Sequence, residues 1–142
     1  MSRRISDKVS VEVFERANGV CEYCGIRIDD TYFGGEIDHI RSRKHAGSDE
    51  IVNLALACQP CNRAKGTDLA SIDDVTKSLT PLFNPRTDRW SDHFVLAQTG
   101  EIIPLTDVAR VTVNVLRFNT GERLDERCGL IELGRLGTSF SE

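Results

Sequence analysis

The spacing of hydrophobic and polar residues predicts short helices and strands joined by polar loops. Four segments in the first half of the chain have the pattern of regular elements: a helix over 10–17, strands over 32–40 and 53–58, and a short helix over 61–65. Ser10 can cap the first helix, and Pro60 suits the first turn of the second because no amide hydrogen is needed there. The predicted order is therefore helix, strand, loop, strand and helix.

The second half of the chain has weaker signals. The pattern predicts, in order, a helix from Ser71 to about Leu79, a hairpin of strands over 94–97 and 102–105, a helix from Thr106 to about Phe118 and a last helix from about Glu122. Pro81 and Pro85 favour an extended segment before the hairpin. Helices and strands are thus predicted in both halves of the chain.

The length of the chain sets the scale of the protein. A chain of 142 residues fits one domain, or one small domain with an extension. The longest apolar runs are as long as strands, so we predict no membrane-spanning segment. The first four residues carry charge, but no apolar segment follows them, so we predict no signal peptide and expect a cytoplasmic location.

The charge of the chain is not that of a typical nucleic-acid-binding protein. The formal net charge is −4 and the isoelectric point is about 5.4, whereas a nucleic-acid-binding domain is usually basic. The first half is nevertheless neutral, since residues 1–66 contain ten basic and ten acidic residues, against eight and twelve in residues 67–142. Arg41, Arg43 and Lys44 form a local basic cluster, which is either a solvated loop or a set of phosphate contacts.

Four of the five cysteines form two Cys-x-x-Cys pairs, Cys21 with Cys24 and Cys58 with Cys61. Each pair turns two thiolates toward one point, and two pairs complete a tetrahedron around zinc. Disulfides are the alternative, but an odd number of cysteines and no export signal argue against them, and a thioredoxin-like motif would explain only one pair. We therefore predict a structural zinc site, with Cys128 left over and buried in a late helix.

Residues beside the cysteines suggest a second metal site. Asp38 and His39 end the first predicted strand, Asn53 begins the second, and Asn62 directly follows the last cysteine of the two pairs. Carboxylate and amide oxygens suit a hard cation such as magnesium or manganese, and a neutral histidine can take the proton from an attacking water. This combination suits metal-dependent hydrolysis of a phosphodiester bond.

Residues at about 8–68 resemble the HNH endonucleases, in the subgroup that carries two Cys-x-x-Cys pairs. The matching pieces are Cys21-x-x-Cys24, Asp38-His39-Ile40, Asn53-Leu54 and Cys58-x-x-Cys61-Asn62-x-x-Lys65-Gly66. This chain departs from many members at the third motif position, where it has Asn62 instead of histidine. Residues 83–127 have a weaker resemblance, which assigns no role, to a C-terminal extension of some uncharacterised HNH proteins.

The resemblance implies a role for each matching residue. His39 would be the general base, and Asp38 and Asn62 would hold the catalytic magnesium or manganese ion. Asn53 would brace the loop between the strands, and Lys65 would contact phosphate. Because adjacent residues of a regular strand face opposite ways, Asp38 and His39 serve one site only if the strand loosens or the phosphate lies between them.

The prediction is therefore an α+β protein with two parts. Residues 1–68 form a zinc-stabilised ββα (HNH, or His-Me finger) module with an N-terminal helix, and residues 69–142 form an α/β extension that stabilises the module or, alternatively, clamps DNA or binds a partner. The predicted function is metal-dependent cleavage of DNA by a monomer with no membrane partner. Two alternatives are a zinc-containing module that binds DNA without cutting it and a nuclease subunit active only in a larger defence or packaging complex.

Overall fold

The computed structural model describes residues 4–137, which contain five α-helices and three antiparallel pairs of strands. The helices are α1 (Asp7–Arg16), α2 (Gln59–Lys65), α3 (Trp90–His93), α4 (Asp107–Val115) and α5 (Gly121–Glu132). The strands are β1 (Gly35–His39), β2 (Leu54–Cys58), β3 (Ala70–Ile72), β4 (Leu79–Pro81), β5 (Phe94–Leu96) and β6 (Ile102–Pro104). The predicted α+β class is confirmed. None of the helices between residues 4 and 137 is long and apolar enough to cross a membrane.

Helix α1 begins earlier than the sequence pattern predicts. Its cap is Ser6 and not Ser10, because the Ser6 hydroxyl accepts a hydrogen bond from the Val9 amide at 3.2 Å. Asp7 in the first turn also interacts favourably with the helix dipole. The helix buries Val13 fully against the face of β2 that carries its leucines.

Strands β1 and β2 and helix α2 form the unit that the sequence order predicts. In the antiparallel pair, Gly35 lies opposite Cys58 and His39 lies opposite Leu54. Every residue of β2 is buried, because the leucines pack toward α1 and the alanines pack into the main core with the cysteines. The chain passes directly from β2 into α2, with Pro60 in the first turn as predicted.

Residues 70–81 form a hairpin, so the predicted helix over 71–79 is wrong. Strand β3 pairs with β4, and Asp73 organises the turn between them. The Asp73 carboxylate accepts a hydrogen bond from the Thr76 amide at 2.9 Å and two from Arg110 of α4 at 2.8 and 2.9 Å. Aspartate makes such local bonds readily at the expense of helix, and Arg110 comes from a distant part of the chain.

The predicted hairpin over 94–105 and the two helices after it are confirmed, since β5 and β6 form a hairpin and α4 and α5 follow it. Thr106 caps α4 by accepting a hydrogen bond from the Ala109 amide at 3.0 Å. The main hydrophobic core joins the two halves, because Tyr23, beside the first cysteine pair, packs edge-to-face on Phe83. Trp90 adds a hydrogen bond from its indole nitrogen to the Tyr23 carbonyl at 2.8 Å. The boundary at residue 68 stays a prediction.

Candidate metal centre and active site

The two cysteine pairs meet at one point. Cys21 and Cys24 lie in the turn after α1, Cys58 ends β2 and Cys61 lies in α2. All four are buried, and their sulfur atoms lie within 4.8 Å of one another. The sulfur atoms of Cys24 and Cys58 are 3.7 Å apart, close to the edge of about 3.8 Å that Zn–S bonds of about 2.3 Å give a tetrahedron. The cluster is therefore positioned to bind a metal, and it fits structural zinc.

The first cysteine pair is shaped by a tight turn at Gly25. The φ angle of Gly25 is +85°, in the left-handed region that favours glycine, and its amide donates to the Cys21 carbonyl at 3.0 Å. Burial raises the pKa of the Cys21 and Cys61 thiols, whereas hydrogen bonds with the other cysteines lower the pKa of Cys24. A bound cation would therefore be needed to hold all four sulfurs as thiolates.

Arg123 of α5 lies against the cysteine cluster. Its Nη2 atom is 2.8 Å from the sulfur of Cys61 and 3.7 Å from that of Cys58, and Nη1 donates to the Leu116 carbonyl at 2.7 Å. Burial lowers the pKa of Arg123, but the neighbouring thiolates raise it, and the net shift is upward. Because zinc with four thiolates carries net negative charge, Arg123 can offset part of it. No motif in the sequence indicates Arg123, which lies 62 positions after Cys61.

Asp38 and His39 occupy opposite faces of β1, as neighbours in a regular strand do. Asp38 faces α2, where its carboxylate bonds to Lys65, and His39 faces the loop that contains Asp49. Both nevertheless line one cavity of about 330 Å³, together with Asn62. Because β1 stays regular here, the arrangement with a bound group between the two side chains stays a prediction.

Asp38 belongs to a buried network with Tyr23 and Lys65. Its carboxylate accepts hydrogen bonds from the Tyr23 hydroxyl at 2.6 Å and from the Lys65 ammonium at 3.2 Å. Burial raises the pKa of Asp38, and the positive charge of Lys65 opposes that shift. The Lys65 residue is only 2% exposed, and its ammonium also donates to the carbonyls of His39 and Ile40. Lys65 would have to leave these oxygens in order to contact a phosphate.

Asn53 connects the two ends of the loop between β1 and β2. Its amide nitrogen donates to the carbonyls of Arg41 and Ser48 at 2.9 and 2.7 Å, and its side-chain oxygen accepts from the Arg41 amide at 2.9 Å. The backbone of Asn53 also accepts a hydrogen bond from the Ile40 amide. These contacts begin at Ile40, one residue beyond His39. The contribution of Asn53 to cleavage stays a prediction.

Asn62 is oriented by Glu36, a residue that sequence analysis did not single out. The amide nitrogen of Asn62 donates to one oxygen of Glu36 at 2.9 Å, so its side-chain oxygen remains available as an acceptor. Arg63 bonds the other oxygen of Glu36 at 2.9 Å, and this hydrogen bond lowers the pKa of Glu36 against the opposing effect of burial. Glu36 lies in β1 just before the Asp38-His39-Ile40 motif and is not part of it, so only the contact identifies it.

Asp49 connects His39 to Arg43. One oxygen of Asp49 lies 2.8 Å from Nε2 of His39 and 2.8 Å from Nε of Arg43. A carboxylate accepts hydrogen bonds, so it places the proton of a neutral imidazole on Nε2 and leaves the lone pair on Nδ1. Asp49 lies in a polar stretch that has the composition of any solvated loop, and the sequence carries no signal for this role.

The predicted basic cluster is divided between two cavities. Arg43 and Lys44 line the cavity that contains His39. Arg41 lines a second cavity, and its Nε atom donates to the His45 carbonyl at 2.7 Å. Two of the three residues of the basic cluster therefore line the same cavity as His39, and Arg41 does not.

The strand pair, the helix that follows it and the four-cysteine site define a zinc-stabilised ββα motif of the HNH type. The family model for HNH endonucleases matches residues 21–68, so this part of the chain forms an HNH domain. The chain is also similar to the Septu protein PtuB of Bacillus thuringiensis, with 30% identity over 122 residues. That similarity covers 82% of this chain and 43% of PtuB, so the chain spans less than half of that relative's length.

Proposed function

We propose that this protein is a metal-dependent endonuclease that hydrolyses phosphodiester bonds in DNA. The observation that carries the proposal is that three residues line one cavity, Asp38 and His39 from β1 and Asn62 from α2. All three lie within the residues that match the HNH endonucleases. An imidazole, a carboxylate and an amide around one opening are a suitable set for hydrolysis.

His39 is the general base in this proposal. Asp49 binds the Nε2 side of the ring at 2.8 Å, so Nδ1 is the nitrogen that takes a proton from the attacking water. The His39 side chain is 18% exposed, which lets water reach it while the protein holds its orientation. Asn53 keeps the loop after His39 closed through its bonds to Arg41 and Ser48.

Asp38 and Asn62 are the proposed ligands of the catalytic ion. The Asp38 oxygens each accept one hydrogen bond, from Lys65 and from Tyr23, which uses one of the two lone pairs of each oxygen. The side-chain oxygen of Asn62 is available as the second ligand, because Glu36 binds only the amide nitrogen. These oxygen donors fit magnesium or manganese, and such an ion, when bound, offsets charge on the phosphate and on the leaving oxygen.

DNA is the proposed substrate, and binding is expected to be modest. Arg43 and Lys44 supply positive charge beside His39, whereas the chain as a whole has a net charge of −4. Affinity that depends on a few phosphate contacts falls steeply as salt increases. The monomeric state and the cytoplasmic location stay predictions.

One alternative has an observation in its favour. A nuclease subunit that works only in a larger complex agrees with the similarity to PtuB, a longer protein of which this chain matches 43%. A module that binds DNA without cutting it would not need Asp38, His39 and Asn62 together at one cavity.

The test is incubation of the purified protein with supercoiled plasmid in the presence of magnesium, manganese or a chelator. We expect cleavage with either metal and none with the chelator. Asp38→Ala and Asn62→Ala should raise the metal concentration that is needed. Binding without cleavage under every condition would contradict the proposal and favour one of the two alternatives.

A further inference from the structure

Two residues that line the cavity beside His39 carry buried polar atoms without a hydrogen-bond partner among residues 4–137. Ser42 is 7% exposed, and its hydroxyl oxygen has no hydrogen-bond partner within residues 4–137. The same holds for Nη2 of Arg43. Both residues line the cavity together with His39. A buried donor without a partner is unfavourable, so an acceptor bound in this cavity would satisfy both.

Asp49 holds Arg43 in an orientation that leaves its Nη2 atom without a partner in the described part of the chain. Its Nε atom donates to Asp49 at 2.8 Å, and the same Asp49 oxygen lies 2.8 Å from His39. One carboxylate therefore sets the position of both the guanidinium group and the imidazole. A ligand bound to Nη2 of Arg43 would lie at a defined place relative to His39.

The loop that carries Ser42 is closed by its own backbone. The Ser42 carbonyl accepts hydrogen bonds from the amides of His45 and Gly47, both at 2.9 Å. A side chain at Gly47 would collide with the Arg41 carbonyl, since a Cβ atom there would lie 1.6 Å from that oxygen. The Ser42 carbonyl is thus engaged in the turn, while its hydroxyl has no partner among residues 4–137.

The chemistry of the two atoms points to an anion with several acceptor oxygens. A guanidinium N–H and a hydroxyl donate to neighbouring oxygens of a tetrahedral anion, and arginine is the usual partner of phosphate. The exposed Lys44, in the same cavity wall, adds positive charge.

We propose that Ser42 Oγ and Arg43 Nη2 together bind a phosphodiester group of DNA beside His39. The identity of the ligand as DNA rests on the proposed function, whereas the site itself rests on the two unpaired donors and their fixed geometry. Ser42 is then a binding residue that neither the motif spacing nor the resemblance to HNH endonucleases assigns.

The test is binding of a short labelled DNA duplex, measured by fluorescence anisotropy across a range of salt concentrations with no magnesium or manganese added. Arg43→Gln should weaken binding by about ten-fold or more and lower the slope of log affinity against log salt by about 0.9, the value for one lost phosphate contact. Ser42→Ala should weaken binding by about two- to ten-fold and leave the slope unchanged, because it removes a neutral hydrogen bond.

Two further variants control for charge and for folding. Arg43→Lys keeps the charge, so it should preserve the salt slope without restoring full affinity, because the planar guanidinium is lost. Lys77→Gln removes one exposed charge from the turn between β3 and β4, outside the cavity, and should change affinity least. If Arg43→Gln fails to fold, which zinc content and melting would show, Ser42→Ala and Arg43→Lys decide the question.

The outcomes separate this inference from the proposed function. Wild-type affinity in Ser42→Ala and Arg43→Lys would overturn the phosphate site even if the protein cuts plasmid. An absence of DNA binding by the wild-type protein would overturn it as well. Binding losses of the expected pattern in a protein that never cuts DNA would support the site while contradicting the nuclease.

Discussion

His39 owes its orientation to a residue that lies ten positions later in the chain. Asp49 lies 2.8 Å from Nε2 of the ring, so a neutral ring carries its proton on Nε2 and its lone pair on Nδ1. The same loop contains His45, which is exposed and lies in the turn closed by Ser42. Two histidines six residues apart therefore differ in their contacts, and only His39 is proposed as a general base.

At the residue scale, His39→Ala should abolish most of the DNA cleavage. Loss of a general base typically lowers the rate by about 10²–10⁴, and the rate is measured as plasmid nicking. Zinc content and melting temperature should stay close to those of the wild type, because the ring is partly exposed and lies away from the cysteines. His45→Ala is the matched control and should cut normally. A His39→Ala protein that cuts as fast as the wild type would show that the assigned base is wrong.

At the element scale, helix α5 ties the second half of the protein to the metal centre. Arg123 reaches the sulfur of Cys61 at 2.8 Å and passes over the ring of Phe118, with 5.7 Å to the ring centre. Its other guanidinium nitrogen is held by backbone carbonyls, including that of Leu116. The helix thus presents a fixed positive charge to a cluster that becomes negative when it binds zinc.

We expect Arg123→Leu to make the zinc ion easier to remove. Loss of a residue that hydrogen-bonds to a metal ligand commonly costs about ten- to hundred-fold in metal affinity. The measurement is the rate of zinc transfer from the folded protein to a coloured chelator. Arg135→Leu is the control, because it breaks a comparable ion pair with Asp30 that lies outside the cysteine cluster. Equal release rates for the two variants would contradict a role of Arg123 at the metal.

At the scale of the whole molecule, the cysteine cluster lies inside the core that both halves share. The core contains Cys21 and Tyr23 from the first half and Phe83, Phe94 and Phe118 from the second. Loss of the metal should therefore affect residues well beyond the ββα unit. Cys128, by contrast, is half-buried on α5 and stands outside the cluster, although it was expected to be buried.

Replacement of one cluster cysteine, such as Cys58→Ala, should unfold the protein or prevent its accumulation. Structural zinc contributes about 10–16 kcal/mol in small zinc domains, which is comparable with a total stability of about 5–15 kcal/mol. Metal analysis should find one zinc per wild-type chain, and circular dichroism should report the loss of structure. Cys128→Ser is the control and should retain both zinc and fold. Disulfides within the pairs, or a wild-type protein without zinc, would refute the site.

The number of active sites in the molecule predicts how DNA is cut. One chain carries one His39 cavity, and one such site cuts one strand at a time. A monomer should therefore convert supercoiled plasmid to open circle first, with linear DNA later from nearby second nicks. A plasmid time course measures the order of products. Linear DNA that appears from the start, without open circle before it, would indicate two sites paired across the duplex in a symmetric dimer.

Several features of the fold and site follow from short-range spacing, which explains why sequence reasoning found them. The turn of each Cys-x-x-Cys pair, the Pro60 start of α2 and the Thr106 cap of α4 are set by neighbours within a few residues. The helix predicted over 71–79 failed because Arg110, far along the chain, binds Asp73 and stabilises a turn there. The helix propensity of residues 71–79 is weak enough for hydrogen bonds to Asp73 to override it.

The sequence by itself determined the residue types of the metal centre and the order of strand, strand and helix that brings them near one another. Only the tertiary structure decided which partners complete the site: Asp49 for His39, Glu36 for Asn62, and Arg123 for the cysteine cluster. The physical reason is that spacing along the chain constrains groups a few bonds apart. Contacts between distant segments depend instead on how the whole core packs, and the shared core here places α5 against the cysteines.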